Sequence, residues 1–210
     1  MHWEIIWDYR FALLQGLQLT VLLSVVGIAG SLAWGTFLAC LDEIGGEDVR
    51  SVVAVYIEIM GDLPTIALLF IIYFVAAADA VPAALLTLIL HQGAYIASVV
   101  ISGFRTLPRE QMESAHASGL TRVQALWHVA LPQVMRSVVP AMANQFIEVI
   151  KNTSAAMLIG VHELTFQTQE IAQQTFRGFE ASTVVTGIYV ALALAVAYGA
   201  STLQKKWGVK

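Results

Sequence analysis

The stretch from Glu113 to Pro132, ESAHASGLTRVQALWHVALP, is a polar interruption between long hydrophobic segments, and it carries its own helix signals. Gly119 is placed to end one short helix, because helices commonly end on a glycine in the left-handed conformation. Thr121 and Gln124 have the spacing of a capping box, which predicts that a second short helix begins at once. The stretch is therefore predicted to form two short helices joined by a sharp turn.

The second of these helices is predicted to be amphipathic. An apolar i, i+3, i+4, i+7 series is typical of a helix that buries one face, and here it consists of Val123, Leu126, Trp127 and Ala130. Two short helices with one apolar face could fill a groove on another protein. An amphipathic loop lying on the membrane surface would show the same pattern, so the shape alone leaves both interpretations open.

The spacing within this stretch resembles the cytoplasmic EAA loop of the permease subunits of binding-protein-dependent ABC importers. That signature is E-A-A, three residues, G, nine residues, I, one residue and L-P. The matching residues are Glu113, Ala115, Gly119, Leu131 and Pro132, with Ser114 in place of an alanine and Val129 in place of the isoleucine.

The resemblance implies a role for this loop in coupling to a partner protein. In that family the loop sits in a cleft of the ATPase subunit and transmits its motion to the transmembrane helices. The residues that this implies for the ATPase contact are Glu113, Ala115, Gly119, Val123, Leu126 and Trp127.

Composition and hydropathy predict an all-α integral membrane protein, and the resemblance implies the fold of type I ABC importers. Of the 210 residues, 58% are hydrophobic and only 12% are charged, unlike the usual mixture in soluble proteins. Long apolar segments predict five transmembrane helices in one domain that covers residues 1–210. The predicted spans are residues 11–41, 51–78, 83–104, 132–161 and 181–203, and the EAA-like coupling loop occupies residues 105–131.

The second predicted span is interrupted near its middle. Gly61 and Pro64 weaken the helix there, because proline cannot donate a backbone hydrogen bond to the preceding turn. Glu58 and Asp62 lie one helical turn apart at the same place. We therefore expect a helix break. The two acids could lie at the cytoplasmic border of the membrane, where charge costs little, or could have a functional role.

The fourth predicted span carries a polar face, which must point into the protein or into a wet cavity because polar groups facing lipid are costly. Glu148 and Lys151 lie one turn apart on this face, so they could either neutralise each other or line a translocation path. Asn144 and Asn152 could either join helices by hydrogen bonds or line the same path. The residue types alone leave both roles open for all four side chains.

The distribution of basic residues predicts the orientation. If the EAA-like loop is cytoplasmic, eight of the eleven Lys and Arg residues lie on the cytoplasmic side, two lie outside, and Lys151 is within the membrane. Such an excess follows the positive-inside rule. The N-terminus is then predicted to be periplasmic and the C-terminus cytoplasmic, as five spans require.

The chain carries no motif for chemistry of its own. It lacks the G-x-x-x-x-G-K-[ST] phosphate loop, so ATP hydrolysis is expected in a separate partner subunit. It also lacks a paired-histidine metal motif and a G-x-S-x-G elbow, and its single cysteine, Cys40, excludes an intramolecular disulfide. We therefore predict a protein that is not an enzyme, without a cofactor, a metal or a nucleic-acid partner.

Outside the loop, the chain resembles the permeases of the polar-amino-acid uptake family. That family commonly shows an AY dipeptide followed by the progression LPQ, P, N, K-x-T-S and EL. The corresponding residues are Gly93-Ala94-Tyr95, Leu131-Pro132-Gln133, Pro140, Asn144, Lys151-Asn152-Thr153-Ser154 and Glu163-Leu164. Together with the polar residues at mid-membrane depth, this resemblance gives as candidates for the substrate path His91, Gln92, Tyr95, Asn144, Glu148, Lys151 and Asn152.

The chain departs from the family pattern at two places. The family usually has R-G-T-P in the second span, whereas this chain has Gly61-Asp62-Leu63-Pro64. After the AY dipeptide the family often has a glutamate and, three residues later, an arginine, but these positions hold Ser98 and Ile101. The lost charges favour a pair of dissimilar permeases, in which the partner keeps the usual set.

Taken together, the resemblances imply a permease subunit of a bacterial inner-membrane ABC importer for polar amino acids. Its expected partners are two ATPase subunits, a second permease that is a dissimilar paralogue, a periplasmic amino-acid-binding protein and the lipid bilayer. Two alternatives stay open at this point. One is a permease for another small solute, and the other is a membrane scaffold or regulatory subunit that does not transport.

Overall fold

Every regular element of the described residues, 3–76 and 78–207, is a helix in this computed structural model, which confirms the all-α fold class. Short irregular helices continue three of the α-helices. In chain order the elements are α1 (Glu4–Asp8), α2 (Arg10–Ile44), α3 (Glu47–Asp62), α4 (Thr65–Phe70) with a π-helical turn (Ile71–Val75), α5 (Ala80–Thr106), α6 (Arg109–Ala117), α7 (Arg122–Ala125) with a π-helical turn (Leu126–Ala130), α8 (Leu131–Ser137), α9 (Val139–Asn152) with a 3-10 turn (Thr153–Ile159), α10 (Leu164–Thr175) and α11 (Gly178–Trp207).

Three helices within the described residues, α2, α5 and α11, are long and apolar enough to cross a membrane. The second predicted span consists of α3 and of α4 with its π-helical turn, and the two halves meet at 102°. The predicted break at Gly61–Pro64 is therefore confirmed. The fourth predicted span is divided into α8, α9 and the 3-10 turn, and the total of five spans stays a prediction.

Helix α2 packs most extensively against α5, and small residues allow the two backbones to approach closely. Gly27, Ser31 and Gly35 are buried on one face of α2. A Cβ atom added at Gly35 would lie 2.5 Å from the carbonyl oxygen of Gly93 on α5. Helices α3, α4, α8 and α9 also pack against α5, so α5 is the central helix.

The buried carboxylate of Glu163 joins α10 to α11. It caps α10 by accepting two backbone N–H groups of that helix at 2.9 Å, and it accepts the hydroxyl of Tyr189 on α11 at 2.6 Å. Burial raises the pKa of the Glu163 carboxyl, and these hydrogen bonds oppose the rise. The hydroxyl of Thr20 on α2 accepts the N–H of Leu164 at 3.1 Å, so three helices meet at the start of α10.

Candidate functional site

The turn between α6 and α7 has the left-handed glycine that the sequence predicts. Gly119 has a φ of 87°, and its N–H donates to the carbonyl of His116 at 2.9 Å. The N–H of Leu120 donates to the carbonyl of Ala115 at 3.2 Å. These two bonds form the Schellman motif that ends a helix and turns the chain sharply.

The capping box at the start of α7 is also confirmed. The N–H of Gln124 donates to the hydroxyl oxygen of Thr121 at 3.3 Å, and the N–H of Thr121 donates to the side-chain carbonyl of Gln124 at 2.9 Å. Both predictions concern bonds that span only a few residues. The two short helices and the turn between them are therefore encoded locally.

The predicted apolar series does not form a single stripe. Leu126 and Ala130 are each 1% exposed and belong to the apolar cluster between α2, α5 and α8, whereas Val123 and Trp127 are 50% and 56% exposed. The reason is that the four positions spread over about 100° of the helix surface, and the core covers only the side that carries Leu126 and Ala130. Leu126 thus holds the loop on the core, and Val123 and Trp127 are left at the surface.

The other residues proposed for the loop divide in the same way. Ala115 is buried against the core, while Glu113 is exposed. The exposed surface of the loop therefore contains Glu113, Val123 and Trp127, which we call the loop surface. Gly119 shapes the turn between the two helices that carry these side chains.

A second group of candidates lies around the break between α3 and α4. The hydroxyl of Tyr95 on α5 donates to the carbonyl oxygen of Gly61 at 2.9 Å. Nε2 of His91 lies 3.1 Å from the carbonyl oxygen of Leu63. His91 is buried behind the break, and Gln92 is buried beside it in the chain, so neither lies on an open surface.

The polar face of α9 contains an ion pair. Nζ of Lys151 lies 2.6 Å from Oε1 of Glu148, with the two side chains 57% and 46% exposed. Asn144 is exposed on the same helix, and Asn152 is half-buried at its end. The structure thus brings Glu148 and Lys151 together, as their spacing suggested, and it leaves Lys151 within reach of an open cavity.

Two cavities flank the end of α9. One has a volume of about 400 Å³ and lies beside Lys151; its lining residues are Lys151, Ser154, Thr165, Thr168, Ser182, Val185, Thr186 and Tyr189. The other has a volume of about 430 Å³ and lies beside the break; its lining residues are Pro64, Thr65, Ile66, Asn152, Ser154, Ala155, Met157, Leu158 and Thr165. Hydroxyl groups, an amide and one ammonium group supply their polar atoms.

Sequence reasoning missed most of these hydroxyl residues. Thr165 and Thr168 are three residues apart on α10, and Ser182 and Thr186 are four apart on α11, so each pair lies on one helix face. That spacing is the sequence feature that indicates a polar face on each helix. Threonine and serine are so common on helix faces that only the packing of α10 against α11 shows that the two pairs share a cavity.

Comparison with known proteins identifies the relatives of this chain. It is 31% identical to the glutamine transport system permease protein GlnP of Escherichia coli (strain K12), over 97% of this chain and 96% of that protein. It is 27% identical to the probable glutamine ABC transporter permease protein GlnM of Bacillus subtilis (strain 168), over 98% of both chains.

Solved structures agree with this relationship. The crystal structure of an amino acid ABC transporter with histidines superposes with a TM-score of 0.87 at 25% identity, over 98% of this chain and 99% of that chain. The inward-facing MetNI methionine ABC transporter superposes with a TM-score of 0.85 at 17% identity, over 95% and 98%, and shares the fold. The family model described as "Binding-protein-dependent transport system inner membrane component" matches residues 31–207. Because this match covers most of the chain, the chain belongs to the family of binding-protein-dependent transport system inner membrane components.

Proposed function

We propose that this chain is the permease subunit of a bacterial ABC importer that carries polar amino acids. The observation that supports this most is the similarity to a glutamine permease along nearly the whole chain. The cavity beside Lys151 supports it as well, because one ammonium group among hydroxyls suits the carboxylate and polar groups of an amino acid. Lys151 and Asn152 are the proposed path residues that line these cavities.

In this proposal the chain does not hydrolyse ATP but responds to subunits that do. One of two ATPase subunits would receive the loop surface of this chain, Glu113, Val123 and Trp127. Ala115, Gly119 and Leu126 would hold that surface in place. Closure of the ATPases would switch the permease pair from the inward-facing to the outward-facing state. A partner shifts such an equilibrium only by interacting differently with each state. A periplasmic binding protein would deliver the substrate.

A second, dissimilar permease is part of the same proposal. Of the 18-residue apolar stretch within α11, only 6% is buried within this chain, which leaves a long face for lipid or for a partner subunit. Ser98 and Ile101 stand where the family often has charges, which favours a partner that keeps them.

Uptake by the purified complex tests the function. The permease pair, ATPase subunits and binding protein would be reconstituted in proteoliposomes, and uptake of labelled L-glutamine and of other polar amino acids would be measured. We expect ATP-dependent uptake of at least one of them. ATPase stimulation by the loaded binding protein without any uptake would select a regulatory subunit, and uptake confined to another solute class would select the other alternative.

We also propose the orientation that the basic residues predict, with the loop of residues 105–131 and the C-terminus in the cytoplasm. Ser118 and Gln169 are both exposed, so each can carry a reporter cysteine in a Cys40→Ala background. We expect an impermeant thiol reagent to label Gln169→Cys in cells with a permeable outer membrane, and Ser118→Cys only after the inner membrane is opened. Labelling of Ser118→Cys but not of Gln169→Cys in cells with an intact inner membrane would show the opposite orientation.

A further inference from the structure

The break in the second span leaves backbone carbonyls without helical partners. Pro64 has no N–H group, and the bend of 102° turns α4 away from the last turn of α3. The bond that Pro64 cannot donate is the one to Met60. The bend separates the carbonyls of Gly61 and Leu63 from the N–H groups of Thr65 and Ala67, and no backbone bond joins these groups across the break. Within a membrane such groups must find other partners, because lipid supplies none.

Two side chains of α5, one helical turn apart, supply those partners. Tyr95 donates its hydroxyl to Gly61 at 2.9 Å, and His91 presents Nε2 to the Leu63 carbonyl at 3.1 Å. Because a carbonyl only accepts, the proton of this contact is on Nε2 of His91. The hydroxyl oxygen of Thr65, the first residue of α4, lies 3.4 Å from Nε2 and 3.5 Å from Nδ1 of the same ring, so the histidine contacts both sides of the break.

The residues beyond the break form one wall of the cavity described above. Pro64, Thr65 and Ile66 face Asn152 and Ser154 across it. The position of this wall depends on the angle at the break, which the two α5 side chains hold. Tyr95 and His91 can therefore act on the cavity through the backbone of the second span.

We propose that His91 and Tyr95 are positioning residues that hold the broken second span at its angle and so set the wall of the substrate cavity. They would act through Gly61, Leu63 and Thr65 and need not touch the substrate. The link to substrate rests on the proposed function. The contact of His91 and Tyr95 with the break does not rest on the proposed function. The effect on the break and the effect on transport can therefore be tested separately.

Tyr95→Phe in the reconstituted complex tests the link to transport, because it removes only the hydroxyl. We expect uptake of L-glutamine per ATP hydrolysed to fall about fivefold, as for loss of one intramolecular hydrogen bond of ordinary strength at an exposed site. Stimulation of the ATPase by the loaded binding protein should persist, since the loop surface is unchanged. His91→Leu should have the same effect, and His91→Gln, which keeps an N–H donor, should restore part of the ratio.

Tyr56→Phe is the matched control. Its hydroxyl also joins α3 to a carbonyl of α5, donating to Leu90 at 2.8 Å away from the break. It accepts Nε1–H of Trp34 at 2.8 Å as well, so this variant loses one more hydrogen bond than Tyr95→Phe does. We expect this variant to keep the normal ratio of uptake to ATP hydrolysis. An equal loss in Tyr56→Phe would mean general loosening of α3 against α5 and would overturn the proposal.

Labelling of Ile66→Cys in a Cys40→Ala background tests the break without any substrate. Ile66 is exposed just beyond the break, so the rate of its reaction with an aqueous thiol reagent reports the position of the wall. We expect Tyr95→Phe to change this rate at least about twofold, and Tyr56→Phe to leave it unchanged. The proposal would be refuted if Tyr95→Phe changed neither the labelling rate nor the ratio of uptake to ATP hydrolysis. Absence of amino-acid uptake by the unmutated complex would refute only the proposed function.

Discussion

Replacing Gly119 with valine is expected to reduce uptake at least about tenfold while leaving the protein in the membrane at normal abundance. Gly119 has a φ of 87°, which a β-branched residue adopts only at a cost of about 1–3 kcal/mol. An added Cβ would meet nothing within 4 Å, so the effect comes from the backbone alone and not from a clash. The chain is expected to relieve this strain by changing the angle between α6 and α7.

That change would act on the loop surface. Glu113 lies on α6, and Val123 and Trp127 lie beyond the turn, so a new angle separates them. A partner cleft that receives all three would no longer be filled. We therefore expect ATPase activity of the Gly119→Val complex to lose its response to the loaded binding protein, with uptake reduced at least about tenfold, since 1.4 kcal/mol corresponds to a factor of ten.

Gly119→Asn provides the matched comparison, because asparagine tolerates the left-handed conformation far better than valine does. We expect this variant to retain most of its uptake. Membrane abundance by immunoblot, uptake and stimulated ATPase activity would be measured for both variants. Normal coupled transport by Gly119→Val would rule out the role assigned to the turn.

Lys151→Met is expected to cause the second large loss of uptake. Lys151 is paired with Glu148 at 2.6 Å and lines the cavity beside α10 and α11. Removing the lysine strands the carboxylate, and removing Glu148 strands the ammonium group. Both side chains are about half exposed, so the cost to stability should be well below the roughly 3–5 kcal/mol of a fully buried pair.

The double variant separates pairing from a role in the path. If the two residues only neutralise each other, Glu148→Gln combined with Lys151→Met should restore both abundance and uptake. We expect it to restore abundance but not uptake, because the ammonium group is also missing from the cavity. Full recovery of uptake in the double variant would remove both residues from the path. Uptake at matched membrane abundance for the two single variants and the double variant decides between these results.

Local sequence determined the turn between α6 and α7 and the break in the second span. The Schellman motif at Gly119 and the capping box at Thr121 each require only bonds between residues a few positions apart. The break at Pro64 has the same origin, since proline lacks an N–H wherever it occurs. Signals of this kind need no knowledge of the rest of the fold.

Packing of distant segments decided which side chains are available at the surface. The spacing of Val123, Leu126, Trp127 and Ala130 predicts a single face, but the core covers only Leu126 and Ala130 and leaves the other two exposed. No pattern within the loop could indicate this, because burial depends on α2, α5 and α8.

Tertiary structure also decided the partners of polar residues that lie far apart in the chain. Tyr95 is 34 residues from Gly61, and Tyr189 is 26 residues from Glu163, so each of these hydrogen bonds exists only because two helices pack side by side. The sequence shows that polar groups need partners when they are buried, since leaving them unpaired is costly. It does not show which partners they find, because that depends on the relative rotation and depth of helices that are far apart in the chain.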